Sequence, residues 1–169
     1  MQSSDIARRI GQLAALLALQ VLVFNHVHLG MYAIPLTAVL FVAWAPLGTP
    51  TIRLMVVSFA FGLVQDIFAG TLGMSAAALT AAAFVQHPLL RALAPADALD
   101  TLRASYVSIG IFRHLTYMFI LFLLYHVVFF VLEDFNFTDI EGLTLSFLTS
   151  LLVSYLLGLL LDYVRGERL

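Results

Sequence analysis

The stretch IFRHLTYMFILFLLYHVVFFVL, residues 111–132, decides what kind of chain this is. After Arg113 it carries no formal charge, and its 22 residues are mostly Leu, Phe, Tyr and Val. A helix rises ~1.5 Å per residue, so this length crosses the ~30 Å hydrocarbon core of a bilayer. The whole chain has the same character, with 62% hydrophobic and only 11% charged residues. Soluble domains carry about 25% charge. A chain of 169 residues has too little interior to hide that much apolar surface from water. The expectation is an all-α integral membrane bundle of about six transmembrane helices, forming one domain over residues 1–169.

Working outward from residues 111–132, charge-free intervals and turn residues place the other spans. Arg9 and Arg53 enclose 43 uncharged residues. These suit two short helices, over 10–24 and 31–47, broken at the polar, Gly-ended turn Asn25 to Gly30. Arg8 and Arg9 ahead of an apolar run resemble a secretion signal. No small-x-small cleavage site follows, so span one reads as uncleaved. Pro46, Gly48 and Pro50 mark a tight connection, where Thr49 is expected to cap the next helix with Pro50 as its first residue. Span three covers 52–68 and carries Asp66 near its far end. Gly70 and Gly73 punctuate the next turn, and span four is the Ala-rich run 74–93. A polar stretch from Pro95 to Ser105 suits a short surface helix. Span five is 111–132, an acidic loop runs from Glu133 to Glu141, and span six covers 142–161.

Lysine is absent and eight arginines carry all the basic charge. With six spans, every one of them falls on one side of the bilayer. Cytoplasmic loops hold the excess of basic residues. The expected location is therefore an inner membrane, multi-pass, with both termini in the cytoplasm. The weakest span is the third, with twelve uncharged residues between Arg53 and Asp66, and a re-entrant path is its alternative. No basic run is dense enough for nucleic acid. With no cysteine, disulfides and thiol chemistry are excluded.

Asp66 is the most informative side chain, because an ionisable group at membrane depth is costly. Ser58, Gly62 and Asp66 recur every four residues and share a helical face. Asp66 reads either as a cap on the backbone of the turn ending at Gly73, or as a ligand or proton group. Asn25, His26 and His28 are expected at the same outer end. Two histidines and a carboxylate suit zinc, but His26 and His28 lie only two apart in a turn, and polar turn residues explain them more simply. His126 lies at mid-span, where it is expected to bond a neighbouring helix. His114, beside Arg113, reads as an interface residue. No Gly-x-Ser-x-Gly turn or phosphate loop is present, so no catalytic, cofactor or metal residue is expected.

Packing signals are stronger. Span six places Ser146, Ser150, Ser154 and Gly158 at four-residue spacing, with Asp162 continuing the row. Span four has Gly73, Ala77 and Ala81, and span one has Ala14 and Ala18. Such rows let helix backbones approach closely in lipid. They serve packing within the chain, a partner's transmembrane helix, or a homo-oligomer. Span five is apolar all round, which suits either lipid or a partner.

The run Gly62-Leu-Val-Gln-Asp66-Ile-Phe-Ala-Gly70-Thr-Leu-Gly73-Met-Ser-Ala-Ala-Ala resembles the signature of the rod shape-determining MreD family. That family ends one helix with Gly-Leu-x-x-Asp, turns on glycine and enters a small-residue helix. The short first hairpin, Leu19-Gln-Val-Leu-Val-Phe-Asn-His26, and the overall size also match. The resemblance implies a non-enzymatic component of the bacterial elongation machinery. It would bind the single-span protein MreC and help couple MreB filaments to RodA, a penicillin-binding protein and peptidoglycan synthesis, and so to cell shape. It also implies a second reading, because this plan resembles the S-component fold of energy-coupling-factor vitamin transporters. There Ala14 and Ala18 would match an Ala-x-x-x-Ala docking face, and Asn25, His26, Asp66 and Glu133 would be the candidate substrate contacts.

Overall fold

Five α-helices, and no strands, make up the described residues of the computed structural model, which are 11, 35–45, 49–71, 73–93, 110–133 and 140–166. The helices are α1 (Leu40–Ala43), α2 (Thr51–Ala69), α3 (Met74–Leu93), α4 (Ile111–Glu133) and α5 (Ile140–Gly166). Span one with Ala14 and Ala18, the turn holding Asn25 and His26, and the Pro95–Ser105 stretch lie outside the described residues. So does the acidic loop between Glu133 and Ile140.

Among the described residues, three helices are long and apolar enough to cross a membrane: Thr51–Ala69, Ile111–Glu133 and Ile140–Arg165. They extend the expected spans 52–68, 111–132 and 142–161 by a few residues. Helix α3 coincides with the expected 74–93, but it is not one of these three. Its sequence holds Gln86, His87, Pro88 and Arg91 and is rich in alanine. It packs between α2 and α4 and against α1, so its buried face meets protein. Helices α2 to α5 otherwise each pack on the next in chain order.

The expected helix over 31–47 needs correction. Within 35–45 only Leu40–Ala43 is α-helical, and Pro35, Leu36 and Thr37 precede it without helix. Proline has no N–H and disfavours helix in the residue before it. The Leu36 N–H goes to the Ser154 hydroxyl of α5 at 2.8 Å, away from any helical carbonyl. This segment is nonetheless the centre of the core. Leu36, Thr37, Ala38, Val39, Leu40, Val42 and Ala43 are all buried. Backbone without regular helix is tolerated at such depth where protein surrounds it.

Glycines set the helix ends. Gly70 closes α2 in the left-handed region at φ 71, and its N–H and that of Thr71 both reach the Asp66 carbonyl. A left-handed residue and an i+5 to i bond together form the Schellman type of helix end. At its other end α2 begins at Thr51 with Pro50 in the cap position and no side-chain cap, one residue later than the expected Thr49 cap. Helix α4 resolves the question left by its all-round apolarity. Tyr117, Met118, Leu121, Phe122 and Tyr125 are buried on one face, while Phe112, Phe119, Val127 and Val131 are exposed on the other.

Two glycines let helices touch. A methyl group on Gly62 would overlap the Ala76 backbone and lie 2.9 Å from the Ser75 carbonyl carbon. One on Gly158 would overlap the tip of the Phe122 ring. Backbone cannot move aside as a side chain can. Gly62→Ala is therefore expected to cost more than Gly158→Ala, with the former in the ~1–3 kcal/mol range of overpacked cores. Thermal unfolding of the purified variants in detergent checks the order. Equal melting temperatures for both and for the native protein would contradict it.

Candidate functional site

The described polar side chains gather at two places. The first is the α2–α3 hairpin. Asp66 sits one turn before the end of α2, and its side chain crosses to the start of α3. Oδ1 accepts from the Thr71 hydroxyl at 2.6 Å and the Ser75 N–H at 2.9 Å, and Oδ2 accepts from the Ala76 N–H at 3.0 Å. Ser75 and Ala76 are the second and third residues of α3, so the carboxylate caps a helix that starts eight residues further on. The first N–H groups of a helix have no intrahelical acceptor and carry partial positive charge. A buried carboxylate there is both hydrogen-bonded and charge-compensated. Ser58 and Gly62, on the same face, are buried, and Gly62 lies against the start of α3. Of the two readings of Asp66, the cap describes its geometry.

The second place is the segment 35–45, whose backbone is held by side chains from α3, α4 and α5. At its start, Ser154 accepts from Leu36 N–H and lies 3.1 Å from His126 Nε2. His126 Nδ1 lies 2.8 Å from the Phe122 carbonyl, which can only accept. Nδ1 therefore donates to that carbonyl, and Nε2 lies within hydrogen-bond distance of the Ser154 hydroxyl. The last carbonyls of a helix have no intrahelical donor. Tyr117 donates to Ala43 O at 3.1 Å, and the Gln86 amide donates to Ala45 O at 3.2 Å. Next to them, Asp162 joins three elements. Its Oδ1 accepts from Trp44 Nε1, and its Oδ2 from His114 Nε2, both at 2.8 Å. Arg165 lies over the Trp44 ring at 4.5 Å from its centroid, a cation–π arrangement.

The expected site residues fall out as follows. His126 bonds a neighbouring helix, through Ser154. Ser150, Ser154, Gly158 and Asp162 face inward, with Ser146 half-buried at the end of the row. In the structure that row packs α5 within the chain. Gly73, Ala77 and Ala81 are only half-buried, because the buried face of α3 runs instead through Ser75, Leu79, Ala82, Gln86 and Leu90. His114 is buried, with its Nε2 2.8 Å from Asp162 Oδ2. Sequence reasoning missed Trp44, Gln86 and Tyr117 altogether. The available signal was three groups with polar ends inside apolar runs, each of which needs a partner in lipid. Among the described residues no three His, Asp or Glu side chains converge as a metal site would require.

The class defined by this fold and these clusters is an α-helical bundle, with three helices able to cross a membrane, tied together by buried side-chain-to-backbone bonds. Comparison with known proteins finds no matching family model, no matching curated protein and no matching solved structure.

Two substitutions separate the clusters. Asp66→Asn retains one acceptor oxygen but turns an amide N–H toward one of three donors, whereas Asp66→Leu strands all three. The expected stability order is Asp, then Asn, then Leu, with the last step worth ~1–3 kcal/mol per stranded group. Equal loss from both would mean that the charge itself is required. Ser154→Ala removes the partner of Leu36 N–H and of His126 Nε2 together. It should lower the melting temperature well below that of Thr144→Ala, whose hydroxyl bonds only Ile140 O of its own helix. Indistinguishable melting curves would refute the role given to Ser154.

Proposed function

We propose that this chain is a non-enzymatic scaffold of the bacterial inner membrane, of the MreD kind, that binds the transmembrane helix of MreC. Through MreC it helps couple MreB filaments to peptidoglycan synthesis by RodA and a penicillin-binding protein, and so to cell shape. All six expected spans belong to this proposal, as do cytoplasmic termini. The observation that carries it is the use made of Gly62, Asp66, Gly70 and Gly73. The residues by which the sequence resembles MreD are the ones that let α2 approach α3, cap α3 and turn the chain between them. A signature used in this way maintains a shape.

The buried polar groups point in the same direction. Asp66, His126, Ser154, Tyr117, Gln86, His114 and Asp162 all engage backbone groups or one another. A scaffold needs such bonds to present a constant outer surface. Of the candidates for a vitamin site, Asp66 has its carboxylate engaged by three donors, which weighs against the transporter reading.

Affinity purification from native membranes in mild detergent tests the proposal. Recovery of a single-span MreC-like protein, with loss of rod shape on depletion of this chain, is the expected result. Recovery of a transporter ATPase, or of a vitamin that co-purifies and raises the melting temperature, would replace the proposal with the S-component reading.

A further inference from the structure

The arginines of the described helices collect at one end of the bundle. Arg53 and Arg113 are each the third residue of α2 and α4, and Arg91 is the third from last in α3. The chain turns between α2 and α3 at Gly70–Gly73, so the start of α2 and the end of α3 lie together. Gln86 and Tyr117 bind neighbouring carbonyls of segment 35–45, so α3 and α4 are also aligned there. Arg91 follows Gln86 by five residues and Arg113 precedes Tyr117 by four, toward the same end. All three arginines are exposed, and none forms an ion pair with a described carboxylate. Asp162, the described acid of that end, is already held by His114 and Trp44. Toward the opposite end the described charges are Asp66, Glu133 and Glu141, with no arginine.

Two features indicate what these guanidiniums face. A cation in the first turn opposes the helix dipole, and neither α2 nor α4 has an acidic residue in that turn. Arg53 and Arg113 are therefore not placed to stabilise their own helices. Each is also next to a prominent apolar side chain, Ile52 at 77% exposure and Phe112 at 82%. A soluble polyanion would meet only the charges and leave those side chains in water. A lipid takes both, with acyl chain against Ile52 and Phe112 and phosphate against the forked guanidinium donors.

We propose that Arg53, Arg91 and Arg113 form a rim that binds the phosphate headgroups of anionic phospholipids, so that the bundle selects such lipids at this end. The inference needs a bundle embedded in a bilayer. It does not depend on the MreC assignment.

Native mass spectrometry tests it, on the full chain released from nanodiscs of phosphatidylcholine mixed with phosphatidylglycerol. The native protein is expected to retain phosphatidylglycerol several-fold over phosphatidylcholine, with the preference falling as salt is raised. Arg53→Gln, Arg91→Gln and Arg113→Gln, made singly so that the other arginines hold the orientation, should each reduce the enrichment by up to about fivefold. An added arm with inorganic phosphate distinguishes the source. Free phosphate that displaces the lipid at equal concentration would overturn a lipid site in favour of a phosphate site. Equal retention of the two lipids, or a preference indifferent to salt, would also overturn the proposal. The salt arm uses the native protein, so it stands even where a variant fails to fold.

Discussion

Inside lipid, a backbone N–H or C=O without a partner costs several kcal/mol, and residues 35–45 place such groups at the centre of this molecule. A regular helix would satisfy them internally. This segment does so only in the single turn Leu40–Ala43, and Leu36 N–H, Ala43 O and Ala45 O each bond a side chain. Ser154, Tyr117 and Gln86 supply the missing bonds from three different helices. Each of those helices is fixed in depth and rotation by the backbone group it has to reach. The irregular segment thus sets the register of α3, α4 and α5.

The α2–α3 hairpin solves the same problem locally. A carboxylate nine or ten residues upstream serves as the cap of α3, and a glycine removes the side chain that would hold the two backbones apart. Charge is tolerated at Asp66 because three donors converge on it. Asp162 follows the same rule, with an indole and an imidazole as donors. The two buried carboxylates each join separate elements, and they belong to different regions of the bundle.

What the sequence made legible was local in origin. Charge-free runs bounded by glycine and proline placed α2, α3, α4 and α5 to within a few residues, since both the helix and its terminators lie within one stretch of chain. Asp66 was readable as a cap because the turn it serves follows it directly. Residues 35–45 were misread because their composition is that of a span, while the decisive signal was one proline. His114 and Trp44 were opaque because their shared partner, Asp162, is distant in the chain: Trp44 and Asp162 are separated by 118 positions. The row Gly73, Ala77, Ala81 misled as to face, because small residues lie all round α3 and four-residue spacing does not say which side is inward.

Chain separation also imposes an order of events during synthesis. The Asp66 bonds to α3 close over nine or ten residues, so the α2–α3 hairpin can lock before α5 is made. The Leu36 and Trp44 bonds both await residues 118 positions later. Until α5 arrives, the Leu36 amide lacks its Ser154 partner and the Trp44 indole its Asp162 partner. Helix α5 is therefore the element whose arrival completes the long-range bonds of the central segment.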